Sequence, residues 1–282
     1  SLYRIQNLCK KLGNPQDKIK AISIVGTNGK YSTIQAMLSI LKEANLKCNV
    51  YTSPHVQKIN ERFVFNNQEL NDEELADLLE EVENINDNKP ITVFEMLSAC
   101  FFYKAAQYPD NINLVESGLF HRFDATNILK SNLASIVTSI SKDHLDWLPK
   151  ENQTIEQIVF EKTSALLNSN IIIAKQNKKE TMECIKKTIK HNSSNKLFFN
   201  EDYSYSIQQN GFFYYEDKLG GLKLPLPNIL GQFQLENIST AIATIRTLNL
   251  GVQDAEIENG IQKIHNLARL QEIKSGKLKE LV

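Results

Sequence analysis

The chain has 282 residues, with 32 Lys and Arg against 33 Asp and Glu and a formal net charge of −1 at pH 7; at about 150 residues per domain this is one large or two modest domains. The balanced charge disfavours duplex nucleic acid or an anionic membrane surface as the main partner, because both demand a basic excess. A hydrophobic content of 41% supports a core, no apolar run approaches the ~20 residues of a membrane span, and Ser1-Leu2-Tyr3-Arg4 does not open a signal peptide.

Apolar residues at 2, 5, 8 and 12, followed by Gly13 and Pro15, predict a short helix with a stop. Residues 20–25 (KAISIV) form a β-rich run leading into Gly26-Thr27-Asn28-Gly29-Lys30, and Ile34, Met37, Leu38 and Leu41 mark the inner face of the next helix. A second strand is predicted over 47–52, an acidic amphipathic helix opens at 71–74, and Thr92-x-x-Glu95 is a capping box for a helix to about residue 107. Further strands are expected at 113–116, 134–140 and 170–174. Strands alternating with helices indicate a doubly wound, mostly parallel α/β sheet with helices on both faces. From about residue 196 the texture changes. Residues 212–215, 217–221 and 222–226 read as short antiparallel strands at the sheet edge, and helices over 235–248 and 254–265 follow. The lysine-rich tail, 269–282, resembles the approach to another domain. The high Asn content is taken as the bias of an AT-rich genome, so Asn carries little weight as a turn signal.

Four cysteines, Cys9, Cys48, Cys100 and Cys184, lie far apart with no CxxC pair. That argues against zinc and against a disulfide framework, and fits a reducing cytoplasm. His191 and His265 read as solvated or dipole-capping, and Trp147 as packing. No G-x-S-x-G is present.

The sharpest feature is strand–GTNGK–helix. Its glycines let backbone N–H groups turn to a phosphate, the helix N-terminus adds positive dipole, and Lys30 supplies a point charge. Tyr31 departs from the usual pattern, since the hydroxyl of Ser32 comes one residue late. Thr52-Ser53-Pro54-His55 follows the second strand, where open α/β sheets bind ligands. Glu116 ends an apolar strand, and Asp143-His144 follow another. A carboxylate and an imidazole on neighbouring strand tips can reach one nucleotide-bound cation, although His is an unusual ligand for Mg²⁺.

Together these motifs resemble the folylpolyglutamate synthase/dihydrofolate synthase family of the Mur ligase superfamily, in order and over most of the chain. VGTNGKYST resembles the family's phosphate loop, TSPHVQKINERF its substrate-side loop, TVFEMLSACFFY its aromatic-Glu helix start and VESGLFHRFDATN its Glu-Gly-Leu segment. TSISKDHLDWL, TIEQIVFEKTSAL, LGQFQLENISTAIA and ARLQ match its later segments. The resemblance implies residues 1–268 as a P-loop-type ATP-binding domain, with an antiparallel edge region near 196–230. It implies 269–282 as the start of a C-terminal Rossmann-like domain absent from this chain.

The implied reaction is ATP-dependent ligation of L-glutamate to dihydropteroate or a folate through an acyl phosphate, in the cytoplasm, by a monomer using Mg²⁺. By resemblance Thr27, Asn28, Gly29, Lys30, Ser32, Asn237 and Arg269 contact ATP. Ser53, Glu116 and His144 hold the metal, and Lys162 matches a lysine that the family carries as a carbamate, which puts Lys162, Lys30 and His144 in the catalytic set. Thr92, Phe94, Glu95, Phe123, Asp124 and Ala125 line the pterin and folate site. Tyr31 and Phe120-His121 stand where the family has Gly, and Ala268 where Gly precedes Arg-Leu. The alternatives are another Mur-superfamily ligase, acting on a peptidoglycan precursor, or a nucleotide-binding module without ligase activity.

Overall fold

The structure is a computed structural model, and it describes residues 2–229 and 231–264. Its first helix, α1 (Tyr3–Lys11), precedes β1 (Lys20–Val25), α2 (Lys30–Glu43) and β2 (Cys48–Tyr51). Next come β3 (Phe63–Phe65), β4 (Gln68–Glu69), α3 (Asp72–Asn86), α4 (Val93–Ala105), β5 (Ile112–Glu116) and β6 (Ala134–Val137). Then follow α5 (Ile155–Thr163), β7 (Asn170–Ile173), α6 (Lys179–Thr188), β8 (Asn195–Phe198), β9 (Tyr203–Ile207), β10 (Phe212–Asp217), β11 (Gly220–Pro225), α7 (Gln232–Leu248) and α8 (Asp254–Gln262).

Eight strands form one sheet in the order β4-β3-β2-β5-β1-β6-β7-β8, parallel from β2 to β8. The strand period of two sorts their side chains onto opposite faces. Ile22, Ile24, Val50, Leu114 and Ile136 pack against α2, α7 and α8. Ala21, Tyr51 and Val115 face α1, α3 and α4, while Val25, Val137, Ile171 and Ile173 face α5 and α6. Burial on both faces explains why these strands read as continuous apolar runs.

The expected doubly wound sheet is present, but two details differ. The strands after residue 200 do not extend the main sheet; β9, β10 and β11 form a three-stranded antiparallel sheet of their own. Its inner residues Tyr203, Phe213, Tyr215, Leu222 and Leu224 bury against Leu235, Ile238, Ile242 and Ile261, and so cover the outer side of α7 and α8. Residues 217–221 are not a strand of their own: Asp217 ends β10, Lys218 and Leu219 form the turn, Gly220 and Gly221 open β11, and the third strand is β9. The antiparallel edge of the main sheet is instead β3–β4, in a segment read as a loop. Asn66 and Asn67 join these strands with φ of 53° and 70°, the left-handed pair that a two-residue hairpin turn requires. Asn is therefore a real turn signal here: eight of ten non-glycine residues with positive φ, among those described, are Asn. The last predicted helix ends at Gln262, and His265, Ala268, Arg269 and the tail lie outside the described residues.

β1 lies between β5 and β6, with Ile24 opposite Glu116 and Val25 opposite Val137. After β1 the chain first builds the β2 side and later crosses to β6. The crevice at the C-terminal ends of these strands is the place where such a sheet binds ligands.

Candidate nucleotide and substrate clefts

The turn after β1 is held by the segment that follows β6. Backbone N–H groups of Thr27 and Asn28 donate to Ser139 O at 2.9 and 3.1 Å, and Thr27 Oγ1 exchanges hydrogen bonds with Ser141. Gly29 ends the turn at φ 90°, and no side chain caps the α2 N-terminus that follows. Lys30 folds back, its Nζ donating to Gly26 O and Thr27 O at 3.3 Å and lying 3.6 Å from Glu116 Oε1. Glu116 is buried at the tip of β5, where its Oε2 accepts the Ser53 N–H at 3.1 Å. These groups open on a cleft of about 380 Å³ lined by residues 27–32, Glu116, Ser139, Asn177, Phe233, Glu236 and Asn237. Helix α7 also begins there, with no side-chain cap. A glycine turn, a lysine and two helix N-termini suit an anion.

A second cleft, about 270 Å³, opens beyond β5. It is lined by Thr92, Phe94, Glu95, Phe123, Asp124 and Ala125, with Arg4, Phe120 and Glu161 among its other walls. All six candidate substrate residues therefore meet. Two of them are also structural: Thr92 and Glu95 cap α4 reciprocally, and Glu95 pairs with Arg4 Nε at 2.9 Å. Asp124 is buried, which raises its carboxyl above the usual range against the hydrogen bonds it accepts from Thr126 and Gly118.

Lys162, 1% exposed on α5, stands between the two clefts. Its Nζ donates to Gly26 O at 3.0 Å, under the phosphate turn, and to Leu119 O at 2.8 Å, on the wall of the second cleft. Burial, reinforced by the charge of Lys30, lowers its pKa to about 8.

No family model matches the chain. The dihydrofolate synthase/folylpolyglutamate synthase of Haemophilus influenzae is 31% identical over 288 residues, 99% of this chain and 62% of that protein. "E.coli FolC in complex with DHPP and ADP" superposes with a TM-score of 0.84 at 28% identity, covering 96% of this chain and 63% of that one. A bifunctional folylpolyglutamate synthase/dihydrofolate synthase from Yersinia pestis, complexed with AMPPNP and a Mn ion, gives 0.85 at 27%, with 97% and 64% covered. Over 92–99% of its length the chain is similar to dihydrofolate synthase/folylpolyglutamate synthases. It spans 59–65% of the length of the first curated relatives it matches.

Against the folylpolyglutamate/dihydrofolate synthase pattern, the candidates divide. Thr27, Asn28, Gly29, Lys30, Ser32, Glu116 and Asn237 share the first cleft, with Ser53 hydrogen-bonded to Glu116. His144 is not among the residues lining that cleft. It is half-exposed, pairs with Asp143 at 3.1 Å and meets the Phe120 ring edge-on at 6.3 Å. Among the described residues no three His, Cys, Asp or Glu side chains gather as a metal site. Glu116 beside Ser53 nevertheless fits Mg²⁺, which needs only one or two carboxylates and keeps water and phosphate oxygens as its other ligands. Arg269 lies outside the described residues. Ser139, Asn177, Phe233 and Glu236 were missed. Phe233 precedes Glu236 and Asn237 by three and four residues and so shares their helix face, a signal available once that helix is extended to Gln232.

The family's Gly positions at 120–121 hold side chains that the fold accommodates. His121 turns inward, 3% exposed, with Nδ1 3.0 Å from Ser117 Oγ, and burial, aided by the Lys162 charge, lowers its pKa to about 4. Arg122 pairs bidentately with Glu161 at 2.9 and 2.6 Å and lies against the Phe123 and Phe160 rings. Arg122→Ala should lower stability by about 1–3 kcal/mol, because Glu161 is left buried with one fewer partner. Arg122→Lys should recover less than half of that, since lysine cannot form the two-pronged pair. Urea unfolding of the three proteins decides it, and an alanine variant as stable as wild type rejects the clamp.

Proposed function

We propose that this chain carries the nucleotide- and folate-binding part of a cytoplasmic, ATP-dependent amide ligase that joins L-glutamate to dihydropteroate or a folate. The observation that carries the reading is Lys162, whose single ammonium bonds both the phosphate turn at Gly26 and the second cleft at Leu119. Two clefts joined in this way suit a reaction in which a phosphoryl group passes from a nucleotide to a neighbouring carboxylate. The relatives bound to ADP and AMPPNP support the same reading. Four unpaired cysteines fit the reducing compartment.

In the first step a substrate carboxylate oxygen attacks the γ-phosphorus of ATP, forming an O–P bond and releasing ADP. The glutamate amine then attacks the acyl carbon, forming C–N as C–O breaks and phosphate leaves. Lys30 holds the phosphates and balances the charge that migrates with the γ-phosphoryl group. Glu116, assisted by Ser53, would hold Mg²⁺, which supplies charge neutralisation to the phosphates when bound. Phe94 and Phe123 offer apolar walls to a flat ring system, and Asp124, kept buried by Thr126 and Gly118, shapes the cleft floor.

Carbamate formation at Lys162 requires a neutral amine to attack CO₂, and the lowered pKa supplies one near neutral pH. Below pH 8 the folded and unfolded chains both hold this proton, and the folded chain carries the full cost of the buried charge, about 3 kcal/mol. Between pH 8 and 10.5 the unfolded chain binds more protons, so stability rises with pH. The stability difference between wild type and Lys162→Met should therefore shift in favour of wild type by about 2–3 kcal/mol from pH 7.5 to 10. Urea unfolding at both pH values measures this shift, and a flat difference would mean an ordinary lysine.

The reaction itself is tested by glutamate-dependent ADP release from the complete gene product, with dihydropteroate and tetrahydrofolate as acceptors. ADP release without glutamate dependence, or with neither acceptor, rejects the ligase. Nucleotide binding alone would leave the binding-module alternative.

A further inference from the structure

The stretch from Glu116 to Phe120 runs from one cleft to the other. Glu116, at the tip of β5, lines the first cleft, and Leu119 and Phe120 line the second. Lys162 lies behind this stretch. It is not among the residues lining either cleft, although its ammonium bonds Gly26 O on the nucleotide side and Leu119 O on the other. The Phe120 ring is its cover. Lys162 Nζ lies over that ring at 5.4 Å from the centroid, and His144 meets the same ring edge-on at 6.3 Å. Phe120 also packs against the cluster of Val25, Val137, Ile158 and Val159, so apolar contact rather than a hydrogen bond holds it in place. The result is a lysine only 1% exposed between two open clefts. Two carbonyls and an aromatic face stand there in place of its hydration shell.

We propose that Phe120 is the water-excluding residue of the partition between the clefts, and that its ring commits the activated carboxylate to an amine rather than to water. The inference rests on the ligase reading above. An acyl phosphate has two fates. Attack by the amine at the acyl carbon forms C–N as C–O breaks and phosphate leaves. Attack by water at the same carbon returns the carboxylic acid and phosphate, so one ATP is consumed and no amide is made. Water outnumbers any dissolved amine, so the choice has to come from exclusion. An apolar ring at the partition offers water no hydrogen bond, whereas a polar side chain of similar size would hold water there.

The decisive pair is Phe120→Leu and Phe120→Asn, similar in volume and opposite in polarity. In the complete gene product, with dihydropteroate or tetrahydrofolate as acceptor, wild type and the Leu variant should release about one ADP per glutamate joined, and the Asn variant at least about three. On this chain alone, acetic anhydride labelling read by peptide mass mapping should modify Lys162 of wild type and of the Leu variant at least about tenfold more slowly than Lys179, which is 91% exposed. The Asn variant should close most of that gap, while Lys30, 13% exposed, reacts alike in all three. Where the Asn variant opens Lys30 as well, Phe120→Gln replaces it and is read in the same way. Equal ADP ratios in the three proteins overturn the inference and leave the ligase reading standing. So does an Asn variant in which ADP release and ligation fall together, and so does a wild-type Lys162 that labels as fast as Lys179. A wild-type gene product without glutamate-dependent ADP release takes down the ligase reading, and this inference with it.

Discussion

Lys30→Ala should weaken binding of ATP and of tripolyphosphate to this chain by two to three orders of magnitude while leaving the fold intact. The Lys30 side chain is only 13% exposed, and its Nζ is fixed by Gly26 O, Thr27 O and the Glu116 carboxylate. Little entropy is therefore lost when an anion arrives. A unit charge ~4 Å from a phosphate oxygen in a partly screened site contributes about 4 kcal/mol, and each 1.4 kcal/mol is a factor of ten in affinity. Removing the ammonium also takes away the cation 3.6 Å from the Glu116 carboxylate, whose negative charge then repels phosphate more strongly. Lys30→Arg should restore little, since the two carbonyls accept a compact ammonium and leave no room for a planar fork. Titration of wild type and both variants settles the matter. An alanine variant within threefold of wild type would place the phosphates elsewhere.

How much of this was legible in the sequence depends on what each residue does locally. The phosphate turn was readable because its chemistry is contiguous: strand, glycines, lysine and helix occupy Lys20–Glu43 without interruption. Glu116 was readable because a lone carboxylate ends an apolar run. The second cleft was found by resemblance alone; nothing in the spacing of Thr92 and Phe123 shows that α4 and the loop after β5 face each other. His144 was placed with Glu116 because both follow strands; in the structure it has a left-handed backbone, φ 54°, and meets Asp143 and Phe120. A pattern of residue types does not reveal that dihedral. The Asn66-Asn67 hairpin failed for the opposite reason. The local signal was present, and was discounted as composition when it was acting as conformation. The three-stranded sheet was half readable: the alternation in β10 and β11 showed strands, but their burial against α7 and α8 is a tertiary fact.

Gly29→Ala should damage stability and the nucleotide cleft together. Two costs coincide there. At φ 90° an L-residue is strained, at about 1–2 kcal/mol. The new Cβ would also lie 2.3 Å from Asn237 Oδ1 and 3.3 Å from its Cγ. Asn237 cannot simply swing aside, because its other end is tied to buried Gln234. Either the turn opens or α7 retreats, and overpacking of this kind costs a further ~1–3 kcal/mol. At about 2–4 °C per kcal/mol for a chain of this size, the melting temperature should fall by roughly 5–15 °C. Nucleotide affinity should fall with it, by at least about tenfold, since the displaced groups are the cleft lining itself. Gly211→Ala is the control. Its φ of 82° is similarly strained, but nothing lies within 4 Å of the added carbon. It should lose only the strain, a few degrees of melting temperature, with nucleotide binding unchanged. Thermal melts and ATP titrations of the two variants separate backbone strain from collision. Equal melting shifts would mean that the Asn237 contact yields freely, and that the phosphate turn and α7 are not held together as the structure places them.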